Sequence, residues 1–92
     1  MAVIERKYPG RTAEELFARV DEVMDDIAHR HALHYRRDPA ARTGTVTKMG
    51  ATGTYAVRDG QVTVELRFPF LVPGPVRRQI EDDVERKLDG LF

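Results

Sequence analysis

The sequence contains neither cysteine nor serine in 92 residues. Without cysteine there can be no disulfide, thiolate zinc site or cysteine nucleophile, and the absence fits a reducing compartment. Acyl transfer would then need a threonine nucleophile, which is uncommon. The glycine-rich spacings that bind phosphate groups are also missing. We therefore predict a protein that is not an enzyme and needs no cofactor.

An excess of charge of either sign is missing too. Lys plus Arg is 15 and Asp plus Glu is 15, so the formal net charge is zero. Nucleic-acid binding relies on an excess of basic residues, so we expect no nucleic-acid partner. No apolar run approaches the roughly 20 residues of a membrane-spanning helix. Glu5, Arg6 and Lys7 stand where a secretion signal needs an apolar run. We expect one soluble, cytoplasmic domain over residues 1–92.

Alternating and turn-flanked segments predict five strands, at residues 2–8, 33–37, 45–49, 54–58 and 61–68. Between the last two strands, Asp59-Gly60 is a strong two-residue hairpin signal. The glycine-flanked residues 50–53 indicate a turn, or a bulge that resets the register. Val62, Val64, Leu66 and Phe68 alternate with polar residues, which is typical of a strand with one buried face.

Two amphipathic helices complete the pattern. Thr12 and Glu15 form a capping box that begins a helix over residues 13–31. Its apolar stripe is Leu16, Val20, Val23, Met24, Ile27 and His31. The second helix begins at Gly74-Pro75 and ends before Gly90, with a stripe of Val76, Ile80, Val84 and Leu88. The order β-α-β-β-β-β-α predicts an α+β two-layer sandwich, an antiparallel sheet with both helices on one face.

The connection between the last strand and the last helix is unusually apolar for a loop. The stretch RFPFLVPGP places Phe68, Phe70, Leu71 and Val72 among three prolines and a glycine. The segment is either a lid on the protein's own core or a surface offered to a partner. We expect the lid, since a small domain cannot spare four large apolar residues. Phe68 could still point inward while Phe70 or Leu71 points outward, where a homodimer would hide them.

Two arginines begin the second helix, where the helix dipole disfavours cations. Arg77 and Arg78 could bind a phosphate or carboxylate there, beside the apolar loop. The alternative is that they form ion pairs with Glu81 and Asp82 four residues on.

The remaining clusters of titratable residues predict no site. His29, His31 and His34 stand at the end of the first helix, where two of them point in opposite directions. A metal needs three or four converging ligands, so we predict no metal site. The acidic residues at 21, 22, 25 and 26 belong to the polar side of that helix, and we expect a solvated face.

The chain resembles the small bacterial polyhydroxyalkanoic acid system family, whose members are also described as granule-region proteins. The resemblance rests on IERKY, TAEELFARVDEVMDDIA, LHYRR and DGQVTVELRFPFLVPGPVRRQIEDDVERKLDGLF, and is strongest over residues 59–88. It implies a role in polyester storage, in the cytoplasm or at the surface of polyester granules. It implies no catalytic residues.

Two functions follow from these observations. The first is a non-enzymatic accessory protein whose apolar loop contacts a granule, a granule protein or a second copy. The second is a carrier of an apolar acyl ligand, with its acidic head at Arg77 and Arg78 and its chain in a helix–sheet pocket.

Overall fold

Five strands and two helices follow one another in the predicted order. The structure, a computed structural model, describes residues 2–92. The elements are β1 (Ala2–Lys7), α1 (Ala13–His31), β2 (His34–Asp38), β3 (Thr43–Lys48), β4 (Ala51–Arg58), β5 (Gln61–Arg67) and α2 (Gly74–Asp89). The predicted α+β class is confirmed, and the bounds of α1 agree with the sequence pattern.

The strands form one antiparallel sheet in the order β1-β5-β4-β3-β2. The alternation of β5 decides its faces, because Val62, Val64 and Leu66 are buried while Glu65 and Arg67 are exposed. Strand β1 pairs with β5 on the side away from β4. There Ile4 pairs with Val64 and is buried as well.

Both helices lie on this apolar face, as predicted. Their buried side chains and those of the sheet form a single core, comprising Ile4, Ala13, Leu16, Val20, Met24, Tyr55, Val57, Val62, Val64, Leu66, Val84, Leu88 and Leu91. Helix α1 contacts β2, β3, β4 and β5, and α2 contacts β1 at the edge. The opposite face of β5 carries Thr63, Glu65 and Arg67.

The turn between β3 and β4 is tighter than the sequence pattern indicates. Lys48 pairs with Ala51, so only Met49 and Gly50 form the loop, both with positive φ. The predicted turn or bulge at residues 50–53 is wrong, because pairing continues without interruption from residue 43 to residue 48. Gly53 lies within β4, where an added Cβ would be 3.1 Å from the side chains of Leu66 and Val46.

Helix α1 begins and ends on recognisable caps. The Thr12 hydroxyl accepts a hydrogen bond from the Glu15 backbone N–H, as the capping box predicts. At the other end Ala32 adopts the left-handed conformation. His31 is exposed, so its assignment to the apolar stripe is wrong. It is the last residue of the helix, one turn beyond the last buried residue, Ala28.

Helix α2 is anchored by its second half only. Val84 and Leu88 are buried, and the Tyr8 hydroxyl donates to the Leu88 carbonyl at 2.6 Å. Val76 and Ile80 of the same stripe are 44% and 38% exposed. The prediction that the whole stripe is buried is therefore wrong for the first half of the helix.

The elements define two ends of the molecule. At one end, which we call the Met49 end, α1 ends, the turn joins β3 to β4, and the loop joins β5 to α2. The Lys48 Nζ at this end donates to the His31 carbonyl at 2.6 Å. At the other, the Asp59 end, the β4–β5 turn meets the start of α1, where Asp59 accepts from the Ala13 N–H at 2.7 Å.

Candidate binding surface

Three large apolar side chains stand out from the Met49 end. Met49, Phe70 and Leu71 are 90%, 86% and 78% exposed. The two chain segments that carry them are neighbours, since a Cβ on Gly50 would lie 3.1 Å from Pro69 Cγ. We call these three residues the apolar tip.

The lid expected from the sequence is therefore wrong for Phe70 and Leu71, which cover nothing. It holds in part for Phe68, which is half-buried and packs against the core. The mixed arrangement, with Phe68 inward and the next two apolar residues outward, is the one the structure adopts. Sequence reasoning missed Met49, although a Met-Gly pair between two alternating segments was the available signal of a hairpin turn.

Behind the apolar tip lies a shallow apolar groove between the helices. Its apolar walls are Leu33, Val46, Leu66, Phe68 and Ile80, and its volume is about 80 Å³. A pocket for a drug-sized ligand needs roughly 300–1,000 Å³. This groove is thus too small for the acyl pocket that the carrier hypothesis requires.

Arg77 fixes the loop that carries Phe70 and Leu71. Its Nε donates to the Val72 carbonyl at 3.1 Å and its Nη2 donates to the Pro69 carbonyl at 3.0 Å. The Val72 N–H also donates to Pro69 O at 3.0 Å, which closes a turn around the two exposed residues. A guanidinium that donates to two carbonyls holds the backbone of the loop in place.

The alternative prediction for the two arginines, ion pairs with Glu81 and Asp82, is wrong. Neither Arg77 with Glu81 nor Arg78 with Asp82 forms an ion pair in the described part of the chain. Arg78 is exposed on the outer side of α2, beside Gly74, Pro75 and Asp82.

Replacing Arg77 with alanine should loosen the loop without unfolding the domain. Hydrogen bonds from a charged donor contribute roughly 1.5–3 kcal/mol, less where water competes. We expect exchange of the Val72 amide hydrogen to accelerate about tenfold or more, measured by hydrogen–deuterium exchange. Arg78→Ala is the matched control and should leave that amide unchanged. Equal exchange in both variants would show that Arg77 does not hold the loop.

A chain of hydrogen-bonded polar side chains links α1 to β2 and β4. The Tyr35 hydroxyl donates to Asp21 Oδ1 at 2.6 Å, and lies 2.5 Å from the Tyr55 hydroxyl. Because Tyr35 gives its one proton to Asp21, Tyr55 must donate to Tyr35. Arg37 Nε completes the chain with an ion pair to Asp21 Oδ1 at 2.9 Å. We call Tyr55, Tyr35, Asp21 and Arg37 the tyrosine chain.

Titration in the tyrosine chain favours the neutral phenols. Burial, together with the hydrogen bond to Asp21, raises the pKa of Tyr35 well above the usual range of tyrosine. Burial also raises the pKa of Tyr55. Both hydroxyls therefore stay protonated at neutral pH, which suits a structural hydrogen bond and does not suit a general base.

Metal and membrane features can be described for residues 2–92. In that range no three histidine or acidic side chains are grouped as metal ligands would be. Over the same residues, neither helix combines the length and the apolar character needed to cross a membrane. His29, His31 and His34 are exposed.

Comparison with known proteins gives one match. Residues 4–92 match a family model described as "Putative polyhydroxyalkanoic acid system protein (PHA_gran_rgn)". The chain belongs to the polyhydroxyalkanoic acid system family. No curated protein and no solved structure gave a significant match.

The family match covers every element of the fold except the first two residues of β1. It therefore includes the apolar tip, the loop that Arg77 holds and the tyrosine chain. The resemblance noted in the sequence is confirmed, and the family name links the protein to the polyhydroxyalkanoate system.

Proposed function

We propose that this protein is a non-enzymatic accessory protein of polyhydroxyalkanoate metabolism that contacts the storage granule through its apolar tip. The observation that carries the proposal is the exposure of Met49, Phe70 and Leu71 on two neighbouring chain segments at one end. Isolated exposed apolar residues are ordinary, but a contiguous group on a small domain indicates an interaction site.

The energetics suit an apolar surface in water, such as a polyester. Burying a large apolar side chain contributes about 1.5–3 kcal/mol. The hairpin turn and the Arg77 hydrogen bonds hold the three side chains outward before contact, so little conformational entropy is lost on binding. Val76 and Ile80 lie farther along α2 and extend the apolar area.

The test is co-sedimentation with purified polyester granules. The double variant Phe70→Ser/Leu71→Ser should reduce the bound fraction at least tenfold, since about 1.4 kcal/mol corresponds to a factor of ten. Val3→Ser is the control, because Val3 is 52% exposed on β1, on the other face of the sheet. Undiminished sedimentation of the correctly folded double variant would overturn the proposal.

The absence of catalysis is a separate part of the proposal. For the tyrosine chain it is supported by the raised pKa values of Tyr35 and Tyr55, which keep these two phenols from acting as general bases near neutral pH. Turnover of hydroxyacyl thioesters by the purified protein would overturn this part and leave the granule contact standing.

A further inference from the structure

We propose that the Met49 end binds an anionic lipid surface, with the apolar tip among the acyl chains and nearby cations at the headgroups. The proposal rests on the function proposed above for the apolar tip, and it names the chemistry of the surface. It is argued from the distribution of charge around the tip.

The cations of the Met49 end lie in chain segments without acidic residues. Residues 66–80 contain Arg67, Arg77 and Arg78 and no acidic residue, and residues 39–58 contain Lys48 near their centre and again no acidic residue. The apolar tip belongs to these two segments. These two segments are therefore positively charged, although the whole chain is neutral.

The arginines beside the apolar tip differ in their pairing from most of those near the Asp59 end. Arg67 and Arg78 form no ion pair in the part of the chain that the structure describes. Near the Asp59 end, Arg11 pairs with Glu15 at 3.3 Å and Arg42 pairs with Glu14 at 3.6 Å. Lys7 and Arg58 at the Asp59 end also form no ion pair among the described residues, so what distinguishes Lys48, Arg67 and Arg78 is that they belong to the chain segments that carry the exposed apolar side chains.

These cations are placed around the apolar tip. Arg67 is the last residue of β5 and precedes Phe68, on the outer face of the sheet opposite Thr52. Arg78 lies in the first turns of α2, which follows the loop, and has Asp82 among its neighbours. Lys48 immediately precedes Met49 and lies at the end of α1. We call Lys48, Arg67 and Arg78 the basic collar.

An apolar tip inside a basic collar fits an anionic amphiphilic surface. Near such a surface, each Lys or Arg contributes about 1 kcal/mol, in addition to the burial of apolar side chains. A second copy of the chain fits less well. A symmetric dimer joins the same patch on both partners, which would bring the two basic collars together and add repulsion between like charges.

The direct test is flotation of the purified protein with vesicles. Vesicles of phosphatidylglycerol and phosphatidylcholine in equal parts are compared with vesicles of phosphatidylcholine alone. Three cations at about 1 kcal/mol each predict roughly 100-fold tighter binding to the anionic vesicles at low salt. Raised salt should reduce that preference, because it screens exposed charges.

Charge-reversal variants separate the effect of the basic collar from the effect of net charge. Arg67→Glu/Arg78→Glu should abolish the preference for anionic vesicles. Lys7→Glu/Arg58→Glu makes the same change in net charge near the Asp59 end, where Lys7 pairs with Gln61 and Arg58 pairs with Gln61 from the other side. That control should retain the preference, and an equal loss in both variants would overturn the inference.

The outcomes distinguish this inference from the proposed function. If granules are bound through Phe70 and Leu71 but anionic vesicles are not preferred, the function stands and the lipid surface is wrong. If the protein sediments as a dimer and Phe70→Ser/Leu71→Ser makes it a monomer, a second copy covers the tip and the inference is overturned. Failure of both granule and vesicle binding overturns both.

Discussion

Gly44→Ala is expected to destabilise the protein by about 2–3 kcal/mol. An added Cβ at Gly44 would lie 2.7 Å from Cζ of Tyr55 and 2.8 Å from its hydroxyl oxygen. These atoms belong to a ring that is 2% exposed in the core, so the ring cannot move aside without disturbing its neighbours. Overpacking of this kind typically costs about 1–3 kcal/mol.

The tyrosine chain places the expected loss in the upper part of this range. Displacing Tyr55 would break its hydrogen bond to Tyr35. The Tyr55 hydroxyl makes no other side-chain hydrogen bond among the described residues. A buried polar group left without a partner costs roughly 1–3 kcal/mol. The combined loss is a large share of the roughly 5–14 kcal/mol expected for a domain of this length.

Thermal unfolding followed by circular dichroism measures the outcome. For a domain of this size, 1 kcal/mol corresponds to about 4–8 °C, so the midpoint should fall by roughly 10 °C or more. Gly74→Ala is the control, because an added Cβ at Gly74 meets nothing within 4 Å. Similar midpoints for Gly44→Ala and the wild-type protein would show that the ring does not lie over Gly44.

Gly44 also illustrates what the sequence could not reveal. Glycine may serve a turn or permit a close approach, and the two uses look alike in a sequence. Gly50 serves a turn with φ of 86°, whereas Gly53 and Gly44 lie in strands against large side chains. The shift of the predicted turn from residues 49–50 to residues 50–53 follows from this ambiguity.

Elements with a strong period were predictable. The stripe of α1, its capping box and the alternation of β5 all agree with the structure, because one face of each element packs on the core. The element order then leaves one economical arrangement in two layers. A periodic stripe does not show how far its partner extends, however. Val76, Ile80 and His31 follow the helical period but lie where the sheet does not cover them.

The candidate surface was half predictable for a similar reason. Composition shows that the segment from Phe68 to Val72 is apolar, but not which side chains face outward. That choice depends on the turn that Arg77 closes through two backbone carbonyls, and i to i+4 spacing instead suggested an ion pair with Glu81. The tyrosine chain joins residues from α1, β2 and β4, and no sequence pattern brings these together.

A pair of leucine substitutions should separate the core from the interaction surface. Leu88 is fully buried and attaches α2 to the sheet, whereas Leu71 is 78% exposed in the apolar tip. Leu88→Ala removes the same atoms as Leu71→Ala but leaves a cavity. We expect a loss of about 2–5 kcal/mol in the free energy of unfolding for Leu88→Ala, and a change within about 0.5 kcal/mol for Leu71→Ala.

Urea unfolding of both variants measures the difference, and each variant is the other's control. Because Val84 and Leu88 are the two buried side chains of α2, the loss for Leu88→Ala should fall in the upper part of the range. A loss above 2 kcal/mol for Leu71→Ala would mean that the side chain is part of the core, and the apolar tip would then be unavailable to any partner. A large loss for Leu88→Ala and a small one for Leu71→Ala would mean that Leu71 contributes almost nothing to folding. Its side chain would then be free to contribute to binding a surface.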